Sequence, residues 1–262
     1  MECGSLTRIA QPCRRLKGQV RLSKREDYER QHFEDRWGGC IYPIGRFVRC
    51  AAEPNEGELV GWYSNDGGKT LTPLTEEPGK VERMPVDVTM ENFMVAHRMS
   101  PEAEAKIVHR VPPCPFIYNG VAYQPEEINK FNGRQLGFTV ANDGKLYAFT
   151  GFETLADFLS KQSGIDQLLW PPPEYSMFYE DYYYGGQNQL GVAPNTTIFN
   201  LSYMNDLISS MQISAYATNG CTLFEDIDLE GDYFAVNGNT SWPVLASYGW
   251  NDRASSLVVW PQ

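Results

Sequence analysis

Asn205-Asp206-Leu207-Ile208-Ser209-Ser210 recurs near the end of the chain as Asn251-Asp252-Arg253-Ala254-Ser255-Ser256. Each hexamer is two Asx-type residues, two free positions and two serines. An aromatic-acidic run ending in glycine precedes each one. The first run is Tyr179-Glu180-Asp181-Tyr182-Tyr183-Tyr184-Gly185-Gly186 and the second is Phe224-Glu225-Asp226-Ile227-Asp228-Leu229-Glu230-Gly231. Both read aromatic, Glu, Asp, four residues, Gly. The runs lie 45 residues apart and the hexamers 46. Several markers recurring at nearly one offset indicate a duplicated structural unit.

The surroundings of the repeat fit all-β structure. Residues 174–262 contain no lysine and are rich in aromatics and Gly/Asn turns. Short alternating runs recur at 196–201, 211–216, 222–224, 233–236 and 257–260. They predict about eight strands in two halves. Neither half is long enough to bury a core alone, so the two must pack together.

The two markers together resemble the βγ-crystallin family, over about residues 175–262, a third of the chain. The resemblance implies a sandwich of two Greek keys, and the hexamer is the mark of the family's calcium-binding branch. One departure is visible. The family usually places serine two residues after the hairpin glycine, and Asn188 and Tyr233 stand there instead.

Calcium is a hard cation that takes six to eight oxygens at roughly 2.3–2.6 Å. The hexamers offer the carboxylates of Asp206 and Asp252, the hydroxyls of Ser209 and Ser255, and the turn carbonyls of Leu207 and Arg253. One hexamer alone has too few oxygens. The resemblance implies two loops side by side that exchange ligands. Each ion would take the third-position carbonyl and fifth-position hydroxyl from one loop and the second-position Asp from the other. A hairpin carbonyl, Glu180 or Glu225, would add a further oxygen. Asn205 and Asn251 are expected to shape the loops rather than bind. Arg253 is expected to give only its carbonyl, to point its charge outward and to weaken its site electrostatically. Without an ion, the same Asx and serine residues also suit ordinary turn chemistry. A second calcium pattern, Asp226, Asp228, Glu230 and Gly231 in EF-hand spacing, ends at Asn237 where a bidentate carboxylate is needed, and its flanks read as strands.

Charge sharpens the division of the chain. Residues 1–50 hold 11 basic and 6 acidic residues, whereas residues 175–262 hold one base, Arg253, against nine acids. A nearly base-free acidic domain argues against nucleic acid as its partner and fits a cation. No apolar run of 18 residues exists, so no membrane span is expected. Residues 1–17 have no apolar stretch of the signal-peptide kind. The six cysteines, at 3, 13, 40, 50, 114 and 221, fit an extracellular, oxidising setting with Cys3/Cys13 and Cys40/Cys50 as local pairs, and fit free thiols equally. No CxxC spacing suggests zinc.

The first two thirds read as an α+β region. Residues 24–37 suit a short charged helix, and 40–50 have strand composition. Ser64-Asn65-Asp66-Gly67-Gly68-Lys69-Thr70 resembles a single Asp-box and predicts a hairpin turn. Ser100-Pro101 opens a helix over 102–111. Pro125 opens a short one over 126–131. Asn142-Asp143-Gly144 joins strands at 136–140 and 145–149. Thr150 and Glu153 form a capping box for a helix ending near Gln162, with Phe152, Leu155, Ala156 and Leu159 as its apolar stripe. Trp170-Pro171-Pro172-Pro173 is a stiff spacer at which composition changes.

The expected organisation is therefore an unassigned region at 1–111, a small α+β unit at 112–169, a Pro-rich linker at 170–173, and a βγ-crystallin-like two-Greek-key β-sandwich at 174–262. The expected function is calcium binding for structural clamping, with no enzyme activity. The alternative is a secreted antagonist, toxin-like or protease-inhibitor-like, on the same fold. A catalytic pairing of Cys40, Cys50 or Cys114 with His97 or His109 has no supporting motif. The aromatics Tyr179, Tyr182, Tyr183, Tyr184 and Phe224 suit core packing better than sugar stacking.

Overall fold

A computed structural model describes residues 57–77, 79–162 and 174–261, together with the backbone of Cys40–Ile41 (β1) and Phe47–Val48 (β2). β1 and β2 pair antiparallel, with Cys40 opposite Val48. The charged stretch 24–37, Cys3, Cys13 and Cys50, and the prolines at 171–173 lie outside the described residues.

Turn chemistry sets the first hairpin. β3 (Leu59–Ser64) and β4 (Thr72–Thr75) are joined through the Asp-box-like sequence. The Ser64 hydroxyl donates to Asp66 Oδ1 at 2.8 Å, and the same oxygen accepts the Thr70 N–H at 2.8 Å. Bonds from Thr70 and Ser64 hold the Asp66 carboxyl down at about 2. Gly67 and Gly68 take positive φ, 71° and 82°, as the turn requires. β5 (Val81–Arg83) and α1 (Met90–Ala96) follow, and the Thr89 hydroxyl caps α1 by accepting the Asn92 N–H at 3.3 Å.

Two helix expectations are corrected. Ser100 caps α2 (Pro101–Glu104) through the Ala103 N–H, but the helix ends after one turn and does not run on to 111. Beyond it the Ile107 carbonyl accepts the Gly133 N–H, and His109 turns inward to become buried. Tertiary contacts there outweigh local propensity, a term of only tenths of a kcal/mol per residue. α3 (Phe152–Lys161) is present, with Leu155 and Leu159 buried, but Thr150 is not its cap. Gly151 occupies the cap position at φ 101°, and the Thr150 hydroxyl bonds the Tyr118 hydroxyl at 2.9 Å instead.

The remaining strands of this part are β6 (Phe116–Tyr118), β7 (Val121–Tyr123), β8 (Gly137–Val140) and β9 (Leu146–Phe149). A 3₁₀ turn at Pro125–Phe131 carries the expected short helix. It is capped reciprocally by Gln124 and Glu127.

The tail supplies eight strands, as its alternating runs predict. The first half gives β10 (Ser176–Tyr179), β11 (Gln189–Val192), β12 (Thr196–Ile198) and β13 (Ser210–Gln212). The second gives β14 (Cys221–Phe224), β15 (Tyr233–Val236), β16 (Ser241–Trp242) and β17 (Ser256–Val259). Each half keeps three strands in one sheet and sends its third strand to the other. One sheet runs β16-β13-β10-β11 and the other β12-β17-β14-β15 within the tail. This crossing is why the halves share one core. Phe178, Leu190 and Met211 from the first meet Leu223, Phe234 and Leu257 from the second, all buried.

Strands from residues 59–149 lengthen both tail sheets. β3 and β4 continue the first beyond β11, giving six strands. β5 flanks β12, and β8, β9, β6 and β7 continue beyond β15, giving nine. The β15–β8 junction is parallel and places Tyr233 opposite Gly137. A Cβ on Gly137 would lie 2.2 Å from the Tyr233 ring, so only glycine fits. Tyr233 stands where the family resemblance leads one to expect serine, and here it packs the junction.

The nine-stranded sheet is covered on both faces. Leu223 and Phe234 face the six-stranded sheet, while their neighbours Phe224 and Tyr233 face Phe93 and Met94 of α1 and Leu155 and Leu159 of α3. Period-two alternation therefore feeds two cores, and β14, β15 and β17 are buried along their whole length.

Candidate metal centre

The two hexamers lie side by side and bond reciprocally. The Asp206 N–H donates to the Ala254 carbonyl at 3.0 Å, and the Asp252 N–H donates to the Ile208 carbonyl at 3.2 Å. Both aspartates sit in the left-handed region, at φ 54° and 50°. The preceding asparagine steadies each carboxylate. Asn205 Nδ2 donates to Asp206 Oδ2 at 2.9 Å, and Asn251 Nδ2 to Asp252 Oδ2 at 2.6 Å.

Each loop is pinned to its own hairpin. The fifth-position N–H donates to the hairpin aromatic: Ser209 to the Tyr179 carbonyl at 2.9 Å, Ser255 to the Phe224 carbonyl at 2.8 Å. The sixth-position serines have a duty that the sequence reading left unassigned. Ser210 donates to the Asp181 carbonyl and Ser256 to the Asp226 carbonyl, both at 2.6 Å. Each hydroxyl also accepts an N–H, from Tyr184 at 3.0 Å and from Leu229 at 3.2 Å. Those acceptances hold a strained corner: Tyr183 and Tyr184 have φ 54° and 66°, and Asp228 and Leu229 have 59° and 64°. The flanks of Asp226–Gly231 are strands, which removes the EF-hand alternative.

Crossed Greek keys, twin folded hairpins and interlocked hexamers are the arrangement that the resemblance implied. The tail has the βγ-crystallin fold. Solved βγ-crystallin domains align with it over about a third of the chain. One from Ciona intestinalis is 22% identical, covering 32% of this chain and 96% of its own at a TM-score of 0.28. One from an archaeon is 21% identical, covering 32% and 95% at 0.27. One from Clostridium beijerinckii is 23% identical, covering 33% and 97% at 0.26. No family model matches the chain, and no curated protein matches it.

The donor set at the paired loops can be tested against calcium chemistry. Ser209 Oγ lies 3.0 Å from Asp252 Oδ1, so a hydroxyl of one loop already meets a carboxylate of the other. The carbonyls of Glu180, Leu207, Glu225 and Arg253 accept no backbone hydrogen bond among the described residues. Open carbonyls, a hydroxyl and a carboxylate are hard oxygen donors of the kind calcium takes. No group of three or more His, Cys, Asp or Glu side chains converges at metal distance among the described residues. An ion here would therefore rely mostly on carbonyls and hydroxyls beside few carboxylates.

The second loop differs from the first in one respect that corrects the sequence reading. Arg253 does not point outward. It is buried, with Nη2 2.9 Å from Glu225 Oε2 and 3.2 Å from Asp232 Oδ2, and its guanidinium lies 4.5 Å from the Trp250 ring. Asp232 is fully buried and also takes the Leu136 N–H at 2.9 Å and His109 Nδ1 at 2.7 Å. The other His109 nitrogen lies 2.9 Å from the Phe131 carbonyl. Both ring nitrogens face acceptors, which favours the imidazolium. Burial alone pushes the His109 pKa down, but the Asp232 hydrogen bond and charge more than offset it, and the net shift is upward.

The two hairpin glutamates have parted roles. Glu180 Oε2 accepts the N–H groups of Gln187 and Asn188, both at 3.0 Å, and so closes the first hairpin in place of the missing serine. Glu225 instead serves Arg253 and Arg110 Nε, the latter at 3.3 Å. Beside it the Asp226 carboxyl is held up by burial and by the neighbouring charges of Glu225 and Asp206.

The remaining candidates lie elsewhere. His97 bonds the Phe93 carbonyl at 2.8 Å and stacks on the Phe93 ring. Cys114 and Cys221 carry free thiols, both pushed up by burial. Phe224 is core, as expected, but Tyr182 and Tyr183 are exposed.

Proposed function

We propose that the tail is a calcium-binding module rather than a catalytic one. Two ions would clamp the Greek keys together through the paired hexamers. Leu207, Ser209 and Glu180 would supply one ion with oxygens alongside Asp252, and Arg253, Ser255 and Glu225 would supply the other alongside Asp206. The ion contributes electrostatic cross-linking of loops that are otherwise joined by a few hydrogen bonds. The observation that carries this reading is the 3.0 Å approach of Ser209 to Asp252 across the two loops.

Sites built from few carboxylates bind weakly, roughly 10⁻⁶–10⁻³ M, which suits stabilisation better than rapid signalling. Calorimetric titration of the full chain with calcium, beside thermal melts with calcium and with chelator, tests the reading. Calcium is expected to raise the melting temperature. At a hundredfold excess over the dissociation constant each site adds about 2.7 kcal/mol by mass action. Identical melts in calcium and chelator would reject it.

A further inference from the structure

We propose that Arg253 is a tethered internal cation that compensates the second half of the module, so that calcium loads the first half well before the second. This rests on the calcium reading above and assigns the order of loading.

The two halves share a backbone design but not a charge environment. Around the first site stand Asp252, Glu180 and Asp181, and no ion pair among the described residues engages any of them. Around the second stand four carboxylates, Asp206, Glu225, Asp226 and Asp232. Two arginines answer them, Arg253 and Arg110, and His109 Nδ1 bonds Asp232. Arg253 matters most because its own carbonyl is one of the proposed ligands, so its charge cannot move far from the ion. Its guanidinium is held inward by two carboxylates and by the Trp250 face. Buried charge is poorly screened by salt, so the repulsion persists at physiological ionic strength. The same contacts give the second loop a cross-link that needs no metal.

Calorimetry on the full chain decides the matter. The wild type should show one binding event and a second at least tenfold weaker. Asp252→Asn should abolish the tight event, and Asp206→Asn should leave it in place. Arg253→Met should tighten the weaker event at least tenfold and lower the melting temperature measured in chelator. Two events of equal affinity in the wild type, or a tight event lost in Asp206→Asn and kept in Asp252→Asn, would overturn the assignment to Arg253 while leaving the module intact. No calcium binding in any of the proteins would remove the module reading and this one with it. Should Arg253→Met fail to fold, the two aspartate variants still decide the order of loading, and Arg253→Gln, which keeps a hydrogen-bond donor without the charge, should tighten the weaker event; unchanged affinity there would overturn the role of Arg253.

Discussion

Asp232 has no exposed surface, and Arg253, His109 and the Leu136 N–H converge on its two oxygens. Removing it would strand a guanidinium in the interior. Asp232→Ala is therefore expected to cost about 3–5 kcal/mol, read from urea unfolding. His109 makes the same cluster pH-dependent. Its folded pKa is raised above the ordinary 6.5, so the imidazolium contributes stability that is fully present below that value and is lost as pH rises through the folded one. Urea midpoints should fall across that window, and His109→Gln should flatten the fall. None of this was legible in the hexamer itself. Arg253 meets a carboxylate 21 residues upstream, and that carboxylate meets a histidine 123 residues further back. Spacings so long carry no local pattern, so the outward arginine was the natural expectation and the wrong one.

Single elements were more readable where their determinants are local. The Asn142-Asp143-Gly144 turn and the strands of the repeat carry their signals within a few residues, and they formed as expected. The helix after Ser100 and the cap at Thr150 failed because a distant partner claimed the same backbone or hydroxyl. The hairpin corners show a third case, in which the pattern was visible but one of its duties was not. Ser210 and Ser256 recur in sequence, and only in the folded chain does each tie two backbone groups of a left-handed corner. Ser210→Ala and Ser256→Ala should each destabilise by about 1–3 kcal/mol, since buried polar groups lose their partner. Thermal melts in chelator would isolate that cost from any effect on calcium. Gly137→Ala should cost a similar amount, about 1–3 kcal/mol, through its collision with Tyr233, and Tyr233→Phe should not relieve it because the ring itself is struck.

Across the whole molecule, the repeat predicted two halves packed together and the resemblance implied the crossed Greek keys; both hold, since the halves exchange their third strands. What composition could not reveal is that the sandwich continues into its neighbours. Strands from residues 59–149 extend both tail sheets, and α1 and α3 cover the outer face of one. The sharp change of charge near residue 170 marks a shift in surface chemistry. It says nothing about hydrogen bonds between strands, which carry no compositional mark.

The parallel seam between β8 and β15 has a practical corollary for anyone who would dissect this chain. A fragment beginning at residue 174 would surrender its neighbours on both flanks, leaving bare ladders of amide and carbonyl groups beside an uncovered greasy wall of Phe224, Tyr233, Val258 and Trp260. Such rims recruit one another. Light scattering should find the excised fragment sticking to itself, whereas the intact chain keeps those rims capped from within. Extra strands joined to the sandwich thus trade portability for permanence, and the tail is expected to fail as a free-standing part.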